Sequence, residues 1–320
     1  MKFTTSVPII EQEPKIDHNS KILLLGSCFV ENISKKLERY QFETLINPFG
    51  IFYHPKAIEN FIEKVCTNYQ YTDKDIFFSD EQWHCFDAHS CMNTESKDEL
   101  LENLNSSLQS TRQFLEKATH LVLTFGTSWY YTHLESVKIV ANCHKVLQKN
   151  FQKELLSVPE IIEVFNNIKQ RLSTINGSLN LVFTVSPVRH LRDGFIENQQ
   201  SKAHLITAIH QYLSLNKRGE KSASYYFPAY EIMLDELRDY RFYSEDMLHP
   251  NKLAVDYIWA RFTTAWLSQQ ATELFKEIDG IHNGLSHRAF NENSEKHQKF
   301  LEDLKRKITL LKLKIPTSKF

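Results

Sequence analysis

Glycine is scarce in this chain. Ordinary usage of about 7% predicts roughly 22 glycines in 320 residues, and there are 8. Each glycine that does occur therefore asks for a local reason. The five cysteines, Cys28, Cys66, Cys85, Cys91 and Cys143, are odd in number and irregularly spaced, with no Cys-x-x-Cys among them. That argues against a zinc knuckle or a thioredoxin-type pair, and it fits free thiols in a reducing, cytoplasmic compartment. No run approaches the length of apolar residues that spans a bilayer. Met1 to Pro14 lacks a basic start, a long apolar run and a small-residue cleavage site, so no signal peptide is expected. Neither sign of charge dominates. A net charge of −1 gives no field that would gather nucleic acid or a membrane surface. Internal repeats and low-complexity segments are also missing.

What the chain does have is alternation. Lys21 to Leu25 reads as a buried strand, broken by Gly26-Ser27, and Phe29, Ile33 and Leu37 then recur at helical spacing up to Arg39. Strands are expected at 41–46, 120–125, 179–185 and 223–227, with helices at 55–67, 97–117, 159–174, 197–215, 231–238 and 252–267. A hairpin is expected within 130–150. Residues 68–96, aromatic and irregular, read as an insertion or lid. The charged remainder, 271–320, reads as a helical extension, with helical spacing from Asn293, that would serve self-association or partner binding. Strands alternating with helices over 1–270 predict an α/β domain with a mostly parallel five-stranded sheet and helices on both faces. In such sheets ligands bind beyond the carboxyl ends of the strands.

Two strand ends carry the pieces of a nucleophilic site. Ser27 sits where a strand opens into a helix, among backbone N–H groups that can stabilise an anion. As a strand-to-helix serine it would equally serve as an N-cap. The loop Ser244-Glu245-Asp246-Met247-Leu248-His249-Pro250 holds an Asp-x-x-His. It would place a base, His249, and the acid that orients it, Asp246, on one turn. A second copy, Asp279-Gly280-Ile281-His282, lies in the tail. The first is preferred because it follows the last strand. Gly50 and Gly126, near the same edge, are candidate oxyanion donors through their N–H groups. Arg189 and His190, after the fourth strand, could hold an anion or a substrate carbonyl, or form an ordinary surface pair. Cys28 is an alternative nucleophile, or a small buried thiol. His84, His89 and His144, with Asp87, admit a metal reading, but no His-x-x-x-His stands among them. No metal or cofactor is expected.

These stretches resemble the GSCFA family. Gly26-Ser27-Cys28-Phe29 looks like the signature that names it, with Val30 in place of the usual Ala. The likeness continues in order through Asn47-Pro48-Phe49-Gly50, Phe125-Gly126-Thr127-Ser128-Trp129, Asn142-Cys143-His144-Lys145, Ser186-Pro187-Val188-Arg189-His190 and Asp246-Met247-Leu248-His249-Pro250. The family is grouped with the SGNH (GDSL-type) hydrolases, so the resemblance implies a flavodoxin-like three-layer α/β/α fold and acyl cleavage or transfer. It implies Ser27 as nucleophile, Asp246 and His249 as its dyad, and the N–H groups of Ser27 and Gly50 at the oxyanion. The departure is at Gly126-Thr127-Ser128, where Ser128 falls at the position of an oxyanion asparagine.

The expected activity is a serine esterase or acyltransferase acting on an O-acyl ester, with acetylated carbohydrate as the guess for its class. Trp83, His89, Asn142, His144 and Arg189 are expected to bind that small-molecule or carbohydrate substrate. A catalytically weak binder of glycan or acyl ligands is the alternative, and metal-dependent hydrolysis a third.

Overall fold

Leucines and isoleucines that follow one another without a polar break must be covered on both sides, and a central parallel strand meets that need. The computed structural model describes residues 5–215, 223–288, 290–291 and 294–320. It opens with β1 (Lys21–Gly26), α1 (Phe29–Arg39), β2 (Glu43–Ile46) and α2 (Pro55–Cys66). A hairpin of β3 (Ile76–Ser79) and β4 (Gln82–Cys85) precedes α3 (Lys97–Leu115) and β5 (His120–Phe125). A small antiparallel sheet follows, made of β6 (Trp129–His133), β7 (Lys138–Val140) and β8 (Phe151–Leu155). Then come α4 (Val158–Ser173), β9 (Asn180–Val185), α5 (Phe195–Leu215) and β10 (Ser224–Phe227). A short α6 (Ala229–Glu231) runs into a π-helical turn at Ile232–Leu237, and α7 (Lys252–Trp266) completes the layer.

The main sheet is ordered β10-β9-β5-β1-β2 and is parallel throughout. Counted along the chain this is the flavodoxin-like order 2-1-3-4-5, in which the order reverses beside the first strand. Successive residues of β1 serve opposite faces. Ile22 and Leu24 join Phe29, Val30, Ile33 and Leu37 of α1 and the apolar side of α7. Leu23 and Leu25 join α2, α3, α4 and α5. The register sets Gly26 beside Thr124 and Phe125 beside Val185. The carboxyl ends of β1, β5 and β9 therefore stand level at the point where the strand order reverses.

Several departures from the sequence reading have local causes. β2 begins at Glu43 rather than Gln41, because Gln41 has φ +65° and belongs to a turn. Residues 68–96 contain the β3–β4 hairpin, and Tyr71, Ile76, Cys85 and Ala88 are buried in the main core. The hairpin expected within 130–150 gains a third strand, β8, whose Gln-Lys-Glu centre gave no apolar signal.

The tail folds as α8 (Gln269–Glu273), α9 (Phe275–Ser286) and α10 (Glu295–Lys314). Ile278, Ile281, Leu304, Leu311 and Ile315 form its own core. It is seated on the end of α1, with Tyr40 stacked on Phe275 at 3.7 Å and Arg39 bonded to Asp279 at 2.7 Å. The second Asp-x-x-His is spent in that contact, because His282 Nε2 bonds Arg39 O at 2.9 Å. Asn293, where helical spacing was expected to start, and residues 1–4 of the Met1–Pro14 stretch lie outside the described residues. Among the described residues no helix is long and apolar enough to cross a membrane.

Candidate active site

Gly26 turns the chain out of β1 at φ +142°, a conformation that L side chains rarely adopt. The Asn47 side chain holds that turn from both sides. Its Oδ1 accepts from Gly26 N at 2.8 Å, and its Nδ2 donates to Gly26 O at 3.2 Å. Ser27 follows, fully buried, with its N–H on Thr124 O at 3.0 Å. Its hydroxyl has no hydrogen-bond partner among the described residues. The capping role open to it in the sequence is not taken up, since α1 has no side-chain cap and Cys28 stands at the N-cap position. A buried polar group without a partner is uncommon and asks for an explanation.

The Asp246/His249 pair forms within one turn. His249 Nδ1 lies 2.6 Å from Asp246 Oδ2, while Asp246 Oδ1 accepts the N–H groups of His249 and Leu248 at 3.0 and 2.9 Å. These bonds to the charged form, the His249 amide first, hold the Asp246 carboxyl down at about 2. Met247 makes the tight turn possible at φ +58°. Arg189 N donates to Leu248 O at 3.2 Å, which ties this loop to the end of β9. No hydrogen bond joins His249 to Ser27. Catalytic contacts are often long in unliganded proteins and tighten only with substrate.

The candidate oxyanion donors are engaged elsewhere. Gly50 N donates to Asn47 O at 2.7 Å, within its own turn, and Gly126 N to Tyr53 O at 2.9 Å. Ser128 is turned away into the layer of α5: Ser201 Oγ accepts its N–H at 2.7 Å, and its own hydroxyl meets Ser201 O at 3.1 Å. Serine is shorter than asparagine and finds its partner in the helix behind it, so Ser128 offers no donor at the strand edge.

Of the other candidates, His89 lies against Gly50, and Arg189 stacks on Tyr243 at 4.4 Å. Of the remaining three, Trp83 belongs to the β3–β4 hairpin, and Asn142 and His144 lie in the loop after β7. Trp83 packs on Phe78, and Asn142 Oδ1 accepts His144 N at 2.8 Å. His144 and His84 meet at 3.3 Å, each with its Nε2 donating to a backbone carbonyl. Among the described residues no three histidines, cysteines, aspartates or glutamates converge as metal ligands. The Cys28 thiol is pushed up by burial, with the nearby Glu31 carboxylate adding to the effect, which leaves less of the reactive thiolate.

Sequence reading passed over Lys202 and left His190 undecided between an anion contact and the surface. Lys202 is buried on the inner face of α5, its Nζ donating to Ser186 O at 2.8 Å. Desolvation pushes it down to about 7. The signal was there: Asn198, Ser201 and Lys202 interrupt, at helical spacing, the face that buries Leu205 and Ala208. A lysine whose pKa is lowered on folding binds fewer protons than the unfolded chain between pH 7 and its ordinary 10.5. Stability is therefore lost progressively as pH falls from 10.5 to about 7, levels off below that, and recovers as pH rises, by at most about 1.4 kcal/mol per pH unit. Relative to Lys202→Met, the wild-type melting temperature should climb between pH 7 and 8.5. Parallel profiles of the two proteins would show that Lys202 keeps its ordinary pKa.

His190 follows β9, with its N–H on Asn198 Oδ1 at 2.9 Å and Tyr53 edge-on at 5.8 Å. Part of the residue reaches the surface, but its Nε2 is buried and has no hydrogen-bond partner among the described residues.

These features define a doubly wound α/β protein of flavodoxin-like strand order, with a buried serine at its switch point and an Asp–His pair on the loop that leads into α7. The chain belongs to the GSCFA family, whose sequence model matches residues 21–262. The C-terminal domain of GSCFA domain proteins matches residues 278–320. No curated protein matches the sequence. Among solved structures, a carbohydrate esterase family 3 protein from Talaromyces cellulolyticus is 9% identical, with a TM-score of 0.38, over 82% of this chain and 99% of that one. A mutant acetyl esterase with acetate ion is 10% identical, with a TM-score of 0.39, over 82% and 99%. Neither likeness is close enough to assign a fold or an activity.

Proposed function

We propose that this protein is a serine esterase or acyltransferase that works through an acyl-enzyme on Ser27. The observation that carries the reading is the buried Ser27 hydroxyl, without a hydrogen-bond partner among the described residues, at the switch point of the sheet. Ser27 Oγ attacks the ester carbonyl as His249 Nε2 takes its proton. Asp246 holds Nδ1–H, fixing the tautomer and stabilising the imidazolium. The tetrahedral intermediate collapses, and His249 returns the proton to the leaving alcohol. Water or an acceptor alcohol then attacks the acyl-enzyme by the same steps in reverse. O-acetylated carbohydrate is the substrate class to try first, because the SGNH superfamily that the sequence resembles often acts there.

A second reading has its own support. The N–H groups of Ser27, Gly50 and Gly126 are all bonded within the protein. A site without oxyanion donors would bind an acyl ligand and not turn it over. A fluorophosphonate probe separates the two. Covalent labelling of wild type, lost in Ser27→Ala, reports an activated serine whatever the substrate. Absence of labelling at Ser27 in folded wild-type protein favours binding without catalysis.

A further inference from the structure

Acyl transfer needs a hydrogen-bond donor where the carbonyl oxygen becomes charged, and the donors expected from the sequence are engaged elsewhere. We propose that His190 supplies it, through the Nε2–H of an imidazole edge that lies over Gly126. The inference rests on the reading of Ser27 as nucleophile.

Three observations support it. First, the His190 Nε2 is buried and without a hydrogen-bond partner among the described residues. Second, Gly126 makes room for it. A Cβ built there would lie 2.9 Å from Nε2 and 3.2 Å from Cε1 of His190. Gly126 is not among the positive-φ glycines, so space rather than backbone conformation excludes a side chain. In a chain with 8 glycines, one stands under this imidazole. Third, the position is right. Gly126 directly follows β5, and Ser27 N bonds Thr124 O two residues earlier on the same edge.

The chemistry of the ring fits. Burial, with the neighbouring Lys202 and then His249 adding to it, pushes the His190 imidazole well below its ordinary value, so it stays neutral. A neutral imidazole can donate one N–H to an oxyanion without itself being a competing acid. Its anchors, Asn198 on the backbone and Tyr53 on the ring edge, come from outside its own loop.

Steady-state hydrolysis of p-nitrophenyl acetate, with thermal melting alongside, tests the assignment. His190→Leu should lower kcat by about 100- to 1000-fold with KM and melting temperature near wild type. His190→Gln, which sets an amide N–H near the Nε2 position, should recover at least about tenfold of that loss. Gly126→Ala, which displaces the imidazole while leaving it present, should lose kcat in the same way. Wild-type kcat in His190→Leu would overturn the proposal. So would a Gln variant no better than Leu, which would make His190 a proton carrier instead. If wild type itself neither hydrolyses the ester nor takes a fluorophosphonate, the Ser27 reading fails and this assignment falls with it.

Discussion

Ser27→Ala is expected to abolish ester turnover, by as much as about 10⁶-fold if the wild-type rate enhancement reaches that of established serine hydrolases. The methyl group cannot form an acyl-enzyme, and only attack by water near the ester remains. The substitution removes a buried hydroxyl that has no hydrogen-bond partner among the described residues, so the fold should not suffer. His249→Ala should be comparably inactive, and the double variant no worse, because residues that act as a unit do not add. Asp246→Asn should cost less, on the order of 10⁴-fold, through loss of the correct tautomer. The measurement is kcat/KM on a chromogenic acetyl ester. Activity retained in Ser27→Ala and lost in Ser27→Ala/Cys28→Ala would transfer the role to Cys28 and end the serine mechanism.

The second large effect is on stability. Gly26→Ala should destabilise the protein by roughly 2–6 kcal/mol, combining strain at an unfavourable φ with overpacking. An alanine Cβ would stand 2.1 Å from Thr124 O, well inside van der Waals contact. Nothing nearby can give way cheaply, because Thr124 is backbone in the neighbouring central strand and also holds Ser27 N. The two Asn47 bonds to Gly26 would be disturbed as well. Denaturant melting should show the loss, and any folded remainder should label poorly with a fluorophosphonate because Ser27 is displaced. A near-wild-type melting curve would mean that the turn relaxes into a conformation alanine tolerates.

Much of this architecture could be read from local spacing. The apolar run at Lys21–Leu25 and the recurrence of Phe29, Ile33 and Leu37 found β1 and α1 because periodicity over ten residues is a local property. Asp246 and His249 were legible for the same reason: three residues apart, they meet whatever the rest of the chain does. Weakly patterned pieces escaped notice, among them β8 and the short helix α8, whose stability comes from what they pack against.

Other features depend on which distant segments become neighbours. Two Asp-x-x-His copies are equivalent as sequence, but only the tertiary structure shows that His282 is committed to Arg39. Ser128 looked like an oxyanion donor by position, yet Ser201, in α5, captures it. Lys202 and His190 reach the serine edge only because β9 lies beside β5 and α5 packs behind them. Sequence alone determined the Asp246–His249 pair, which is held by bonds within three residues, and marked the strand-to-helix turn at Ser27 by a local change of periodicity, although Asn47 and Thr124 hold that turn from afar. The tertiary structure decided what surrounds them, because a side chain's partner across the sheet is set by strand order and register, and no spacing along the chain encodes those contacts.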